Sequence, residues 1–413
     1  MLKKPYDNLD SVCKSFPLLY GEITEEQKAR YERVFASYKK YFNENSAYIA
    51  SSSGRVEVLG NHTDHNGGKV ISCAISLDTI AFFLPINESQ IILYSEGYEE
   101  IVVNIEDENE YKVGTSKALI IGVMNALKEN GYKVGGFKAY CSSNVLGGAG
   151  ISSSASFEVL IAEIFNFLYN DGKISNEEKA KFAQFAENVY FGKPCGLLDQ
   201  TAIAFGGLNK LDFNDKKAIK VSPINCDLKD YVFVLVNTGG SHENLTDEYA
   251  SIPKEMFEVA KVLSKERLID IDSKTFYANI KSIKDKVSDR ALLRAIHFYT
   301  ENDRVDDAEK FLIENNYDKF LSCVKFSGIS SMTNLQNCYV STSKDQSIPK
   351  ALAICSTFLQ DVTNRVHGGG FAGTILNVVK LKDFSKFFDS ACKVFGEKNV
   401  ISLKVRSVGT LVL

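Results

Sequence analysis

The segment V-L-G-G-A-G-I-S-S-S-A-S at 145–156 holds the residue types best suited to chemistry. Glycines let a backbone approach a ligand closely. Directly after it, Phe157, Leu160, Ile161, Ile164, Phe165 and Leu168 fall at i, i+3, i+4, i+7, i+8 and i+11, one apolar face of a helix. A helix start offers unbonded N–H groups and the positive end of the dipole, so this junction reads as an anion site, with phosphate the usual anion. The serine hydroxyls can add hydrogen bonds or ligate Mg2+. A plain tight turn with a serine-rich cap has the same appearance. The segment is not a Walker loop, because no G-x-x-x-x-G-K-[ST] occurs. It is a poor dinucleotide fingerprint, because Ser153 stands where the last glycine belongs, and a G-x-S-x-G elbow is missing.

The chain has 28 glycines, and two more clusters stand out: G-R-V-E-V-L-G-N-H-T-D-H-N-G-G at 54–68 and R-V-H-G-G-G-F-A-G-T at 365–374. With these the sequence resembles the GHMP kinases, and within them the galactokinase family. That family carries three motifs in this order, the middle one reading G-x-G-L-S-S-S-A-S and the first G-R-V-N-x-x-G-E-H-T-D-Y-N-x-G. P-C-G-L-L-D-Q at 194–200 resembles the family's P-C-G-I-M-D-Q, and Ser241-His242 with Tyr249 resembles its R-H…Y element.

The resemblance implies an ATP- and Mg2+-dependent sugar 1-kinase, with galactose the expected sugar, and a role for each matching residue. Asp199 matches the base toward the anomeric hydroxyl, and Arg55 the arginine that stabilises that hydroxyl and the moving phosphoryl group. Gly148, Ala149, Gly150, Ile151, Ser152, Ser153 and Ser154 match the nucleotide-phosphate loop. Gly368, Gly369 and Gly370 match the third motif beside the phosphates. Ser154 and Glu187 match the metal site. Asn61, His62, Asp64 and Tyr249 match sugar contacts. Elementary physics agrees in part: Asp199 follows a Gly-Lys-Pro break and opens an apolar stretch, and a helix N-terminus there would stabilise its anion. Phosphoryl transfer needs positioning and charge neutralisation more than covalent help.

Each residue also has a plainer reading. His62 and His65 could be a zinc pair, but no partner pair has suitable spacing, so solvated or hydrogen-bonded loop histidines are the plainer reading; Glu187 could be an exposed helix charge and Tyr249 a packing residue. The charged run 274–310 reads as the solvated face of helices. Three departures stand out: Asn61 replaces the family's glutamate, a sugar-hydroxyl acceptor; His65 replaces a tyrosine; Leu146 replaces a proline. The first leaves two rivals: a related kinase for an N-acetylhexosamine or arabinose, and a silent sugar sensor. The sensor should have lost Asp199, Arg55 or the serine run, and all are present.

These residues must be held by ordinary elements. β-like runs occur at 69–76, 79–86, 90–94, 101–105 and 137–142, and a helix at 116–129. A second helix starts at Ser175, whose spacing to Glu178 is that of a capping box, and ends at Gly192 and Pro194. Its stripe is Phe182, Phe185, Ala186, Val189 and Tyr190. Beyond a polar stretch at 215–222, a strand at 231–236 leads into a helical region, and the end is β-like at 374–379 and 401–413. This α+β pattern in both halves suggests two domains, 1–215 and 216–413. The resemblance implies the two-domain GHMP kinase fold, with a ribosomal-protein-like N-terminal domain, a ferredoxin-like C-terminal domain and the active site in their cleft.

The 413 residues are 45% hydrophobic and 24% charged, enough for real cores. A net charge of −4 disfavours a nucleic-acid partner. Nine cysteines without C-x-x-C pairs read as reduced thiols. No apolar run approaches a membrane span. The expectation is a cytoplasmic enzyme, a monomer or weak homodimer.

Overall fold

A computed structural model of the protein describes residues 4–107, 111–145, 147, 150–216, 218–240 and 245–413. In chain order its strands are β1 (Tyr48–Leu59), β2 (Lys69–Pro85), β3 (Gln90–Ser95), β4 (Ile101–Asn104), β5 (Phe137–Ser143) and β6 (Leu208–Asp212). They continue as β7 (Lys220–Pro223), β8 (Tyr231–Asn237), β9 (Thr363–Val366), β10 (Thr374–Lys380), β11 (Val400–Leu403) and β12 (Leu411–Val412). Eight form one sheet in the order β12-β1-β2-β5-β3-β4, with β6 on β2 and β7 on β6. The other four form an antiparallel sheet, β11-β8-β10-β9.

Strand β1 and most of its neighbours bury both faces. Ile80 and Phe82 pack with Tyr31, Val34, Phe35 and Tyr38 of the Glu25–Phe42 helix. Ala81 and Phe83, pointing the other way, pack under the Ser116–Glu129 and Ser153–Tyr169 helices. The Glu25–Phe42 helix is not among the elements expected from the sequence, although the sequence carries its start signal. Thr24 and Gln27 form a capping box, and the apolar residues recur at i, i+3, i+4 and i+7. Strand β1 escaped for another reason: Y-I-A-S-S-S-G-R-V-E-V-L breaks the alternation with three serines and a glycine, all of them buried.

Two expected strands, 69–76 and 79–86, are one, β2. Where the break was expected, Asp78 is enclosed and ion-paired to Arg30 at 2.6 Å, and the ladder with β1 shifts register, from Ser53 opposite Asp78 to Arg55 opposite Ala74, without ending the strand. The expected helix from Ser175 begins with its capping box and runs as an α-helix over Asn176–Phe185. It then widens into a π-turn, Ala186–Phe191, that stops at Gly192 with φ 81°. The wider turn shifts the side-chain register. Val189, expected on the apolar stripe, is therefore 58% exposed.

A division of the strands at 215/216 would not separate the sheets. Strand β7 pairs with β6, and β12 returns from the C-terminus to pair Val412 with Ala50 of β1. The two sheets also share a core: Val56, Val58, Ile71 and Cys73 from the larger meet Phe233, Leu235, Leu376 and Val378 from the smaller. No helix among the described residues is long and apolar enough to cross a membrane.

Candidate active site

Strand β1 positions the first site residue through a glycine. The β1–β2 ladder skips Gly54, with Ser53 opposite Asp78 and Arg55 opposite Ala74. A Cβ at Gly54 would lie 2.8 Å from the Ile151 carbonyl oxygen, so only glycine lets the serine loop dock here. That carbonyl accepts the Arg55 N–H at 3.2 Å. The Arg55 side chain then takes Asp199 in a fork: Nε to Oδ1 at 2.7 Å and Nη2 to Oδ2 at 2.8 Å, while Nη1 donates to the Gly150 carbonyl at 2.5 Å.

Asp199 lies in the first turn of the Leu198–Phe205 helix, as expected, and also accepts the Ser152 hydroxyl at Oδ2. Burial pushes its pKa up, but the charge of Arg55 and the hydrogen bonds from Ser152 and Arg55 outweigh that and hold it below the usual carboxylate range. Ser152 caps the Ser153–Tyr169 helix with φ 63°, a left-handed conformation that costs energy for a non-glycine residue. Ser153 and Ser154 open that helix. Gly148 and Ala149 lie outside the described residues, as do Ser241 and His242.

The third motif meets the second. A Cβ at Gly150 would fall 2.9 Å from Thr374 Oγ1 and 3.4 Å from His367 Nδ1. His367 is neutral, its pKa driven well below the usual value by burial and by the nearby Arg55 and Arg365. Its Nε2 accepts the Glu57 N–H at 3.3 Å, so Nδ1 carries the proton toward Thr374 Oγ1 at 3.1 Å.

The first motif meets both. Asp64 faces Gly196, where a Cβ would lie 2.2 Å from its Oδ2. Removal from solvent, with the Asp199 charge adding, raises the Asp64 pKa to about 6 despite backbone hydrogen bonds. The carbonyls of the glycine turn at 368–370 are each bound by a residue expected at the sugar. Asn61 Nδ2 donates to Gly368 O at 2.8 Å, His62 Nε2 to Gly369 O at 2.9 Å and Tyr249 OH to Gly370 O at 2.9 Å. Burial lowers the His62 pKa to about 4, so the ring is neutral with its proton on Nε2. Asn61 is fully engaged inside the protein: its second amide hydrogen goes to Glu57 Oε1 at 3.0 Å, and its Oδ1 accepts Asn337 Nδ2 at 2.8 Å.

Glu187 sits on the π-turn and is buried, not an exposed helix charge. Its Oε1 accepts the Ser154 hydroxyl at 2.9 Å and Lys193 Nζ at 3.0 Å; Oε2 accepts Gln200 Nε2 at 2.8 Å. Near it, Oε1 of the buried Glu158 has no hydrogen-bond partner among the described residues. Serine hydroxyl and carboxylate oxygens are the donor set a hard cation prefers.

Several supporting residues went unread. The run 274–310 was expected to be a solvated face, but Arg294, His297 and Glu301 of the Asp289–Ile313 helix are wholly buried. His297 Nε2 donates to the Asn61 carbonyl at 2.9 Å, and Glu301 accepts the Gly60 N–H at 3.0 Å. Burial would raise the Glu301 pKa, but His297, Arg304 and Arg365 hold it at about 2. The helix thus grips the backbone of the 60–62 loop. Arg365, also buried, reaches from β9 to the Val58 carbonyl at 2.8 Å and Glu57 at 3.0 Å. The signal for Glu57 was in the motif itself, where the family signature has asparagine.

A strand, a glycine–serine loop and a helix, with an ionised aspartate clamped at the loop's last turn, form the arrangement that a small-molecule kinase of the GHMP class needs. Comparisons with known proteins agree. The galactokinase galactose-binding signature matches residues 36–85, and the GHMP kinase N-terminal domain matches residues 118–207. The chain is 31% identical over 352 residues to a galactokinase of Clostridium tetani, covering 84% of this chain and 88% of that one. It is 28% identical to a galactokinase of Limosilactobacillus reuteri, covering 89% and 94%. The fold matches that of Lactococcus lactis galactokinase complexed with galactose with a TM-score of 0.77 at 23% identity, over 98% of this chain and all of that one. It matches mevalonate kinase of Methanococcus jannaschii with a TM-score of 0.63 at 17% identity, over 88% and 99%. The chain belongs to the galactokinase family.

Proposed function

We propose that the protein transfers the γ-phosphoryl group of ATP to the anomeric hydroxyl of α-D-galactose, giving galactose 1-phosphate and ADP. The Arg55–Asp199 fork, pinned to the serine loop through Ser152 and the Gly150 carbonyl, carries this reading. It supports a nucleophile-holding carboxylate beside a phosphate loop. In the transfer, the hydroxyl oxygen bonds to the γ-phosphorus as the bond to the β–γ bridging oxygen breaks, and the hydroxyl proton passes to Asp199. A carboxylate held below its usual pKa is a weak base. Asp199 therefore orients the hydroxyl first and takes the proton late, which suits a loose transition state with little early proton transfer. Arg55 balances charge on the transferring oxygens. Asp64, His62 and Tyr249 would line the sugar, and 150–154 with 368–370 the phosphates.

Ser154 and Glu187 would hold Mg2+, and the unpartnered Glu158 oxygen near them fits a region built for a cation. When bound, the ion would neutralise β- and γ-phosphate charge. Initial rates with ATP across free sugars, with mevalonate as control, test the assignment. Galactose should give the highest kcat/KM, and Asp199→Ala should lose turnover while still binding nucleotide. Turnover retained by that variant, or none on any sugar, would overturn it. In the same assay Glu187→Gln should need more Mg2+ for half-maximal rate; an unchanged titration would remove Glu187 from the metal site.

A further inference from the structure

Glu57 has no part in the transfer just described. It lies two residues beyond Arg55 on β1, so the two side chains leave the same face of the strand, roughly 7 Å apart along it. Its Oε1 is fully used, accepting Arg365 Nη2 and Asn61 Nδ2, each at 3.0 Å. Among the described residues, Oε2 accepts no hydrogen bond. Unlike the enclosed Oε1 of Glu158, it keeps some contact with solvent. Burial raises the Glu57 pKa, with Arg365 and Arg55 opposing and Asp64 adding, which places the carboxyl among the charges of the transfer site.

Asn61 cannot offer the same service. Both its amide hydrogens and its oxygen are spent on Glu57, Gly368 and Asn337. The family signature G-R-V-N-x-x-G-E-H puts the amide first and the carboxylate second. In this chain the two are exchanged, as Glu57 and Asn61, and the exchanged side chains touch. One carboxylate and one amide are conserved, but the open oxygen now belongs to Glu57.

We propose that Glu57 Oε2 accepts a hydroxyl of the sugar, so that Glu57 is a specificity-determining residue of this site, held in place by Arg365 and Asn61. The inference rests on the reading of the site as a galactose kinase. A carboxylate accepting a hydroxyl is a charge-assisted bond, stronger than an amide would make, and a sugar lacking that hydroxyl leaves it unpaired.

The test is a set of initial rates for the full-length enzyme with ATP, Mg2+, galactose and the monodeoxygalactoses that keep the anomeric hydroxyl, with Tm measured alongside. In Glu57→Gln, KM for galactose should rise roughly tenfold or more. One deoxygalactose, lacking the accepted hydroxyl, should lose far less. An equal loss on every sugar, or a lower Tm with an unchanged sugar profile, would overturn the proposal and leave Glu57 a mere bridge from β1 to Arg365. If that variant does not fold, Glu57→Asn combined with Asn61→Glu restores the signature's order with one carboxylate retained. The sensitive deoxysugar should then change, and a profile matching the parent's would equally overturn the idea. Parent enzyme inactive on galactose would instead defeat the functional reading, a separate result.

Discussion

Asp64 and Asp199 are carboxylates in one site with their pKa values pushed apart. Arg55 holds Asp199 down; loss of solvent and the Asp199 charge lift Asp64 to about 6. Only the ionised form of Asp64 accepts a hydroxyl with full strength. kcat/KM for galactose should therefore rise as pH increases through about 6 and level off above it. Neighbouring His62 and His65 titrate near 4 and 3, too low to make that limb. Glu57 is also raised, so the variant decides: Asp64→Asn should lower kcat/KM and flatten the limb. The same limb persisting in that variant would assign it elsewhere. Sequence made Asp64 and Asp199 visible as motif members. It could not give their opposite shifts: Asp199 is held down by Arg55, 144 residues away along the chain, while Asp64 is lifted by burial and by the Asp199 charge.

Among the elements, the junction of β1 and the serine loop is the tightest fit. Gly54→Ala would place a methyl against the Ile151 carbonyl at 2.8 Å and the Val145 and Ile75 side chains at 3.1 and 3.2 Å. Backbone cannot yield as a side-chain tip does, so the loop must move. The expected cost is about 1–3 kcal/mol of stability, with KM for ATP raised more than KM for galactose. Denaturant unfolding and two-substrate kinetics check this; unchanged values for both would show that the loop has room. The π-turn at Ala186–Phe191 teaches a related lesson. The apolar spacing predicted the helix, but the wider turn at its end left Val189 outside, while Glu187, four residues after the buried Ala183, lies in the interior. Hydrophobic period alone does not register such a change in winding.

Across the whole molecule, N- and C-terminal segments are tied to the larger sheet through one buried carboxylate. Asp78 accepts Arg30 Nη1 at 2.6 Å, Tyr20 OH at 2.7 Å and Ser51 Oγ at 2.5 Å, with Arg406 Nη1 at 3.6 Å. Burial raises its pKa, but the charges of Arg30 and Arg406, with the Ser51 and Tyr20 hydroxyls, bring it below the ordinary 3.8. A depressed carboxylate stabilises the fold above its unfolded pKa and loses that contribution as pH falls through the folded one. Asp78→Ala should cost about 3–5 kcal/mol near neutral pH by leaving buried arginines unpaired. The loss should narrow in acid below 3.8. Urea midpoints that run parallel from neutral pH to acid would contradict this.

The sequence by itself determined the family, the three glycine motifs, the aspartate and arginine proposed for the transfer, and most strands and helices whose apolar period was unbroken. Those features are local: a glycine loop before a helix, a cap or an alternation is written in adjacent residues. Tertiary structure decided what depends on partners far apart in the chain. It showed that Asn61, His62 and Tyr249 bind the carbonyls of the 368–370 turn, and it buried His297 and Glu301 under the 60–62 loop. It also left Glu57, not Asn61, with an open carboxylate oxygen. A hydrogen bond spends a donor or acceptor only when its partner is in reach, and reach is set by packing between sheets, which no spacing along the chain records.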